Sequence, residues 1–133
     1  MEEQNAPGPT DDGSTFVSTV VLDAFRKVRE KLETTGRMVT IEYSGRSARV
    51  MVVKRGKLEL SYKVTVPNGD PNTSPEVETR FIDIVSGKEV RSQPESLSRG
   101  GELLTLGSTT RENIEESFYE HYRAVTKGRG SAP

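Results

Sequence analysis

The sequence predicts an α+β domain: an N-terminal helix, an antiparallel β-meander of four to five strands, and a C-terminal helix packed on the sheet. Three observations predict it. Apolar residues recur at helical spacing over 15–34, alternate with polar residues over much of 38–66, and return to helical spacing after residue 109.

In the first segment Val17, Val21, Ala24, Val28 and Leu32 stand three or four residues apart, with Phe25 beside them. Arg26, Lys27, Arg29 and Glu30 fall largely on the other side. Ser14 is placed to cap the helix, and Gly36 to end it in a left-handed conformation. The stripe reads as a core face.

Lys57 to Val66 alternates without a break, putting Leu58, Leu60, Tyr62, Val64 and Val66 on one face and Lys57, Glu59, Ser61, Lys63 and Thr65 on the other. Before it, Val39, Ile41 and Tyr43 form an inner face. A two-residue turn at Ser44-Gly45 pairs Tyr43 with Arg46, Ile41 with Ala48 and Val39 with Val50. At the second turn, a two-residue loop at Arg55-Gly56 sets Val52 opposite Glu59 and mixes the faces. A three-residue loop, Lys54-Arg55-Gly56, sets Val52 opposite Leu58 and keeps them apart, with Gly56 at the bulge position, so this register is the expected one.

A fourth strand is expected over Val77–Val85, after a Pro- and Asn-rich loop at 67–75. Ser86-Gly87 turns the chain into a short piece at Glu89–Arg91. Residues 92–101 look irregular, and Leu103–Leu106 reads as a last edge strand or a strap over the core. Thr109-x-x-Glu112 forms a capping box for the last helix, whose buried stripe is Ile114, Phe118, Tyr122 and Val125, with Gly128 as its end. The first five elements resemble a cystatin-like fold in their order, which many families share, and no family-specific motif accompanies it.

The length of 133 residues suits one domain. Hydrophobic residues make up 32%, low for a globular chain, where apolar usage including Gly is roughly 45–50%, so part of the chain is expected to lie outside a core. Residues 1–13 carry four acids and almost nothing apolar and read as a disordered tail; 14–127 form the domain; 128–133 read as a second disordered tail. Net charge is −4 over 1–13, +6 over 14–63 and −3 over 64–133. No apolar run reaches the roughly 18 residues of a membrane span, and the acidic N-terminus does not read as a secretory signal, so a cytoplasmic protein is expected.

Chemistry is sparse. With no Cys and one His, thiol nucleophiles, iron–sulfur clusters and Cys-bearing zinc sites are excluded, and His121 reads as a surface or boundary residue. No Gly-x-Ser-x-Gly elbow occurs, and the Gly101–Gly107 segment lacks the lysine of a phosphate loop. Asn68, Asp70 and Asn72 read as turn formers rather than calcium ligands. Asp83 reads as a strand-end acid. The expectation is therefore no catalytic residue, no metal and no cofactor.

Three functions remain in order. The first is a non-catalytic protein-interaction or dimerisation module, because Met51, Val53, Ile82 and Ile84 form a second apolar row off the core parity. The second is nucleic-acid binding through Arg49, Arg55, Lys57 and Lys63 on the outer sheet face, a face without aromatic stacking groups. The third is an enzyme with a pocket between sheet and helix. Whether the helices cover one sheet face or both decides the first.

Overall fold

The N-terminal helix α1 starts earlier than its sequence signals and carries an irregular turn. A computed structural model describes residues 12–130, and within it α1 is α-helical over Asp12–Phe16, π-helical over Val17–Val21 and α-helical again over Leu22–Glu33. Residues 1–11 and 131–133 of the two expected tails lie outside the described residues. Ser14 is inside the helix rather than capping it. Gly13 explains the early start: it is buried, and a Cβ there would stand 3.0 Å from both the Asn68 carbonyl oxygen and Val66 Cγ1. The absence of a side chain lets the helix begin against the chain leaving the sheet.

The π-turn follows from Thr15–Val21, where hydroxyls and β-branched residues crowd the ladder. Thr19 Oγ1 donates to the Thr15 carbonyl at 2.7 Å and competes with the backbone for it. The wider turn brings Phe16 and Leu22 into the core together with the expected Val17, Val21, Ala24, Phe25, Val28 and Leu32. Gly36 ends the helix as expected, at φ +85°.

Strands β1 (Met38–Ser44), β2 (Ser47–Lys54), β3 (Lys57–Thr65), β4 (Glu76–Ile82) and β5 (Glu89–Arg91) follow in sheet order β1-β2-β3-β4-β5, and all neighbours are antiparallel. The two-residue β6 (Glu95–Ser96) adds to β4, and β7 (Ser98–Arg99) pairs with β8 (Glu102–Leu103). Both hairpin registers differ from the sequence expectation. The first loop is Gly45-Arg46, not Ser44-Gly45, so Ile41 meets Val50 and Val39 meets Val52. Gly45, at φ +56°, takes the first loop position, where a tight hairpin turn needs positive φ. The slip is two residues, so the inner face stays apolar.

The second correction matters more. The loop is the two-residue Arg55-Gly56, with Lys54 opposite Lys57 and Val53 opposite Leu58. Both loop residues have positive φ, +53° and +78°, as a type I′ turn requires. The ladder then shifts between Val52 and Val53, so Val52 faces Leu60 and Glu59 is the extra residue of a β-bulge. The bulge reverses parity within β3. Leu58 moves off the core face, and Glu59 joins Leu60 on it. Arg55 holds a left-handed conformation that costs a non-glycine residue about 1–2 kcal/mol. Arg55→Asn is therefore expected to raise stability by about 0.5–1 kcal/mol in urea unfolding, and a loss would show that Arg55 has a compensating role.

Strand β4 stops at Ile82, three residues short of expectation. Asp83 turns the chain by accepting the Val85 amide at 2.8 Å, so Val85 is left 90% exposed rather than in the core. Leu103–Leu106 resolves mainly as a strap. Leu106 and Leu97 are buried, and their amides bond to the Thr73 and Pro75 carbonyls at 3.0 and 2.8 Å.

The C-terminal helix α2 (Arg111–Gly130) begins one residue later than expected and continues through Gly128. Its cap is the pair Thr110 and Asn113. The Thr110 amide bonds Asn113 Oδ1 at 2.9 Å, and the Asn113 amide bonds Thr110 Oγ1 at 3.2 Å. Thr109 instead donates its hydroxyl to the Thr105 carbonyl at 2.6 Å. Ile114, Phe118 and Tyr122 are buried and Val125 partly so, as the stripe predicts. Arg111 bonds Asp23 of α1 at 3.0 Å, joining the two helices.

Both helices lie on one face of the sheet. Tyr62 of β3 is fully buried between them, its ring edge-on to Phe25 of α1 at 6.0 Å and to Phe118 of α2 at 5.5 Å, and its hydroxyl donates to Ser117 at 2.7 Å. Among the described residues, the helices and the strap leave the opposite face of the sheet uncovered.

Candidate functional site

The eight residues singled out from sequence separate into three places. Met51 and Val53 of β2 are half-buried on the uncovered face, where Met51 pairs with Ser61 and Val53 with Leu58. Ile82 takes the same side at the end of β4, and Ile84 is exposed in the following turn. Arg49 and Lys63 are direct ladder neighbours at the centre of that face. Arg55 and Lys57 stand apart at the hairpin tip. The bulge puts Lys57 on the helix-covered side, so the four bases do not form one outer patch.

Ladder pairing between β3 and β4 ends at Ser61 opposite Arg80, and beyond it a pocket of about 690 Å3 opens. Leu58, Ile82 and Ile84 supply its apolar wall, Arg55 and Lys57 its rim, and Glu59 lies at its inner end. Two pairs that the sequence placed in different hypotheses, Ile82 with Ile84 and Arg55 with Lys57, thus line one cavity.

Glu59 is the residue that sequence reasoning missed. Its Oε1 accepts from Arg37 Nε at 2.8 Å and from the Tyr122 hydroxyl at 2.6 Å. Arg37 also donates to Thr35 Oγ1 at 2.8 Å and lies over the Tyr122 ring. Burial, and then the hydrogen bond to Glu59, raise the Tyr122 phenol above its ordinary pKa. The hydrogen bond to Glu59 likewise raises the Arg37 guanidinium. The carboxylate therefore works as a clamp that ties the start of β1 and the middle of α2 to β3. The signal for it was a conflict: Arg55-Gly56 suits a two-residue turn, and a two-residue turn broke the alternation. One extra residue in the strand satisfies both.

The chain matches no protein-family model, and neither the curated proteins nor the solved structures include a match to it.

The remaining candidates have local roles. His121 is half-buried, with Nδ1 2.8 Å from the Ser117 carbonyl oxygen and its ring edge against Tyr62. Asn68 and Asp70 spend their side chains on successive Asx turns, accepting the amides of Asp70 and Asn72 at 2.8 and 2.9 Å. Among the described residues, no group of three or more acidic or histidine side chains is placed to hold a metal, and no helix is long and apolar enough to cross a membrane.

Proposed function

We propose that this chain is a non-catalytic protein-interaction module that pairs with a second copy of itself through the uncovered sheet face. The observation that carries the reading is the one-sided placement of both helices around Tyr62, with Met51, Val53, Leu58 and Ile82 on the other side. An apolar row on an open sheet face is the usual mark of an interface. Burying such side chains is worth up to roughly 1.5–3 kcal/mol each, less here because they are already half-covered, against association costs of at least about 4 kcal/mol. A modest, concentration-dependent dimer fits that balance.

The same face carries bases and acids side by side, with Lys63 opposite Glu78 and Arg49 opposite Glu42, which suits a two-fold contact where opposite signs can meet. Tyr43, Tyr62 and Phe81 take the inner side by parity, so the outer bases have no ring on which a nucleotide base would stack, and nucleic acid ranks second.

The test is the solution mass of the full chain over a concentration series, beside the double variant Met51→Lys, Ile82→Lys. The expected result is a dimer that becomes a monomer in the variant with its thermal transition retained. A wild type that stays monomeric at high concentration defeats the proposal. A variant that still dimerises moves the contact to the open edge of β1, where Met38 is 68% exposed.

A further inference from the structure

The outer face sets like charges against each other twice. Arg49 of β2 is directly opposite Lys63 of β3, and Arg80 of β4 is directly opposite Arg91 of β5. Like charges in such positions destabilise a sheet. The four bases surround a hollow of about 200 Å3 on the uncovered face. Three acids are near them, too few to balance four bases. Glu89 is shared, at 3.3 Å from Arg80 and bonded also to Arg91; Glu42 comes only to 4.0 Å from Arg49; Glu78 faces Lys63 in the ladder. Among the described residues Lys63 has no ion pair.

Two hydroxyls line the same hollow. Ser61 is 3% exposed, lies on the outer side of the ladder opposite Arg80, and makes no side-chain hydrogen bond among the described residues. Ser92 Oγ accepts the Thr79 amide at 2.9 Å, which leaves its own proton available to donate. Donors and positive charge thus converge from four strands on a space that the protein does not fill.

We infer that this hollow binds an oxyanion of the phosphate-monoester class. A dianion with three acceptor oxygens relieves both like-charge pairs at once and accepts from the serine hydroxyls, while guanidinium groups supply paired donors at its edge. A singly charged carboxylate, with two oxygens in one plane, satisfies fewer of these groups. The source is either a small phosphorylated molecule or a phosphate borne on a polypeptide, since the chemistry read by the hollow is the same. The inference does not rest on self-association: Arg49, Lys63 and Glu78 belong to the face proposed above for pairing, so a bound phosphate and a second copy compete for them, and phosphate binding is expected from the monomer alone.

The test is calorimetric titration of the full chain at low ionic strength with inorganic phosphate and with O-phosphoserine, for the wild type and for Lys63→Gln and Arg80→Gln separately. The expected result is saturable binding that weakens at least tenfold in each variant. Lys63→Gln should also melt no lower than the wild type, because it removes the opposition to Arg49; a purely structural lysine would not give that pair of results. A peptide carrying phosphoserine that binds more tightly than the free amino acid assigns the source to a polypeptide, and equal binding assigns it to a small molecule. No saturation at tens of millimolar phosphate (the weak end of specific binding), equal affinity in the variants, or an unphosphorylated-end oligonucleotide binding as well as the monoester would overturn the inference.

Discussion

Tyr62→Ala is expected to lower stability by about 3–5 kcal/mol. The ring is fully buried and, among the described residues, is the one sheet side chain that meets an aromatic ring of each helix, Phe25 on one side and Phe118 on the other. Its removal opens a cavity at the junction of three elements, where no one element can move in without leaving another. A domain of this size is stable by roughly 5–15 kcal/mol, so the variant should be partly unfolded near body temperature. Tyr62→Phe separates packing from polarity. It keeps the ring and leaves the Ser117 hydroxyl without its donor, at a cost of about 1 kcal/mol. Denaturant unfolding of both variants is the check. A Tyr62→Ala loss below about 1 kcal/mol would mean that the helices do not close over this ring.

Glu59→Ala is expected to cost about 3 kcal/mol, the low end of the range for breaking a buried ion pair. The carboxylate side chain is 7% exposed, and its loss strands the Arg37 guanidinium and the Tyr122 hydroxyl together. Arg37 is 18% exposed, and this residual solvation is why the low end applies. Replacing both partners, Arg37→Met with Glu59→Leu, should recover most of the loss, because no uncompensated buried charge then remains. If the double variant is as unstable as Glu59→Ala, the clamp does more than neutralise itself, and its shape holds the end of the sheet.

How much of this was legible in the sequence depends on which residues carried the signal. The helix stripes, the inner rows of β1 to β3 apart from Leu58 and the exposed Tyr43, and the end of α1 at Gly36 follow from periodicity and turn chemistry, and the structure bears them out. The strand registers did not follow. A slip of two residues in the first hairpin leaves every side chain on the same face, so alternation alone cannot detect it. In β3 the apparently perfect alternation of Lys57 to Val66 concealed the bulge, because Leu58 and Glu59 exchange faces without any break in pattern. The clamp was invisible for the same reason: a glutamate at a polar parity reads as solvated. The hollow needed Arg80 and Arg91, which lie in strands that the sequence delimited loosely, to be set opposite each other. The end pocket required the parting of β3 and β4, a tertiary fact with no local pattern.

The bond between Arg111 and Asp23 joins residues 88 positions apart, whereas the first two hairpins close over two-residue loops. Closing a chain costs entropy that grows with the logarithm of the intervening length, so the hairpins can form early while the helix–helix clasp waits for the whole meander. Folding then has a direction. On this ground the sheet is expected to assemble outward from its turns, with α2 arriving last to shut the aromatic layer. In reverse, α2 is the element that leaves first, which predicts faster amide exchange along it than along β2 and β3; equal protection would show that the two layers open as one cooperative unit. Until α2 docks, the Tyr62 side of the sheet is covered only in part, by α1, and it is the more apolar of the two faces. The last step of folding therefore determines which face remains available for association.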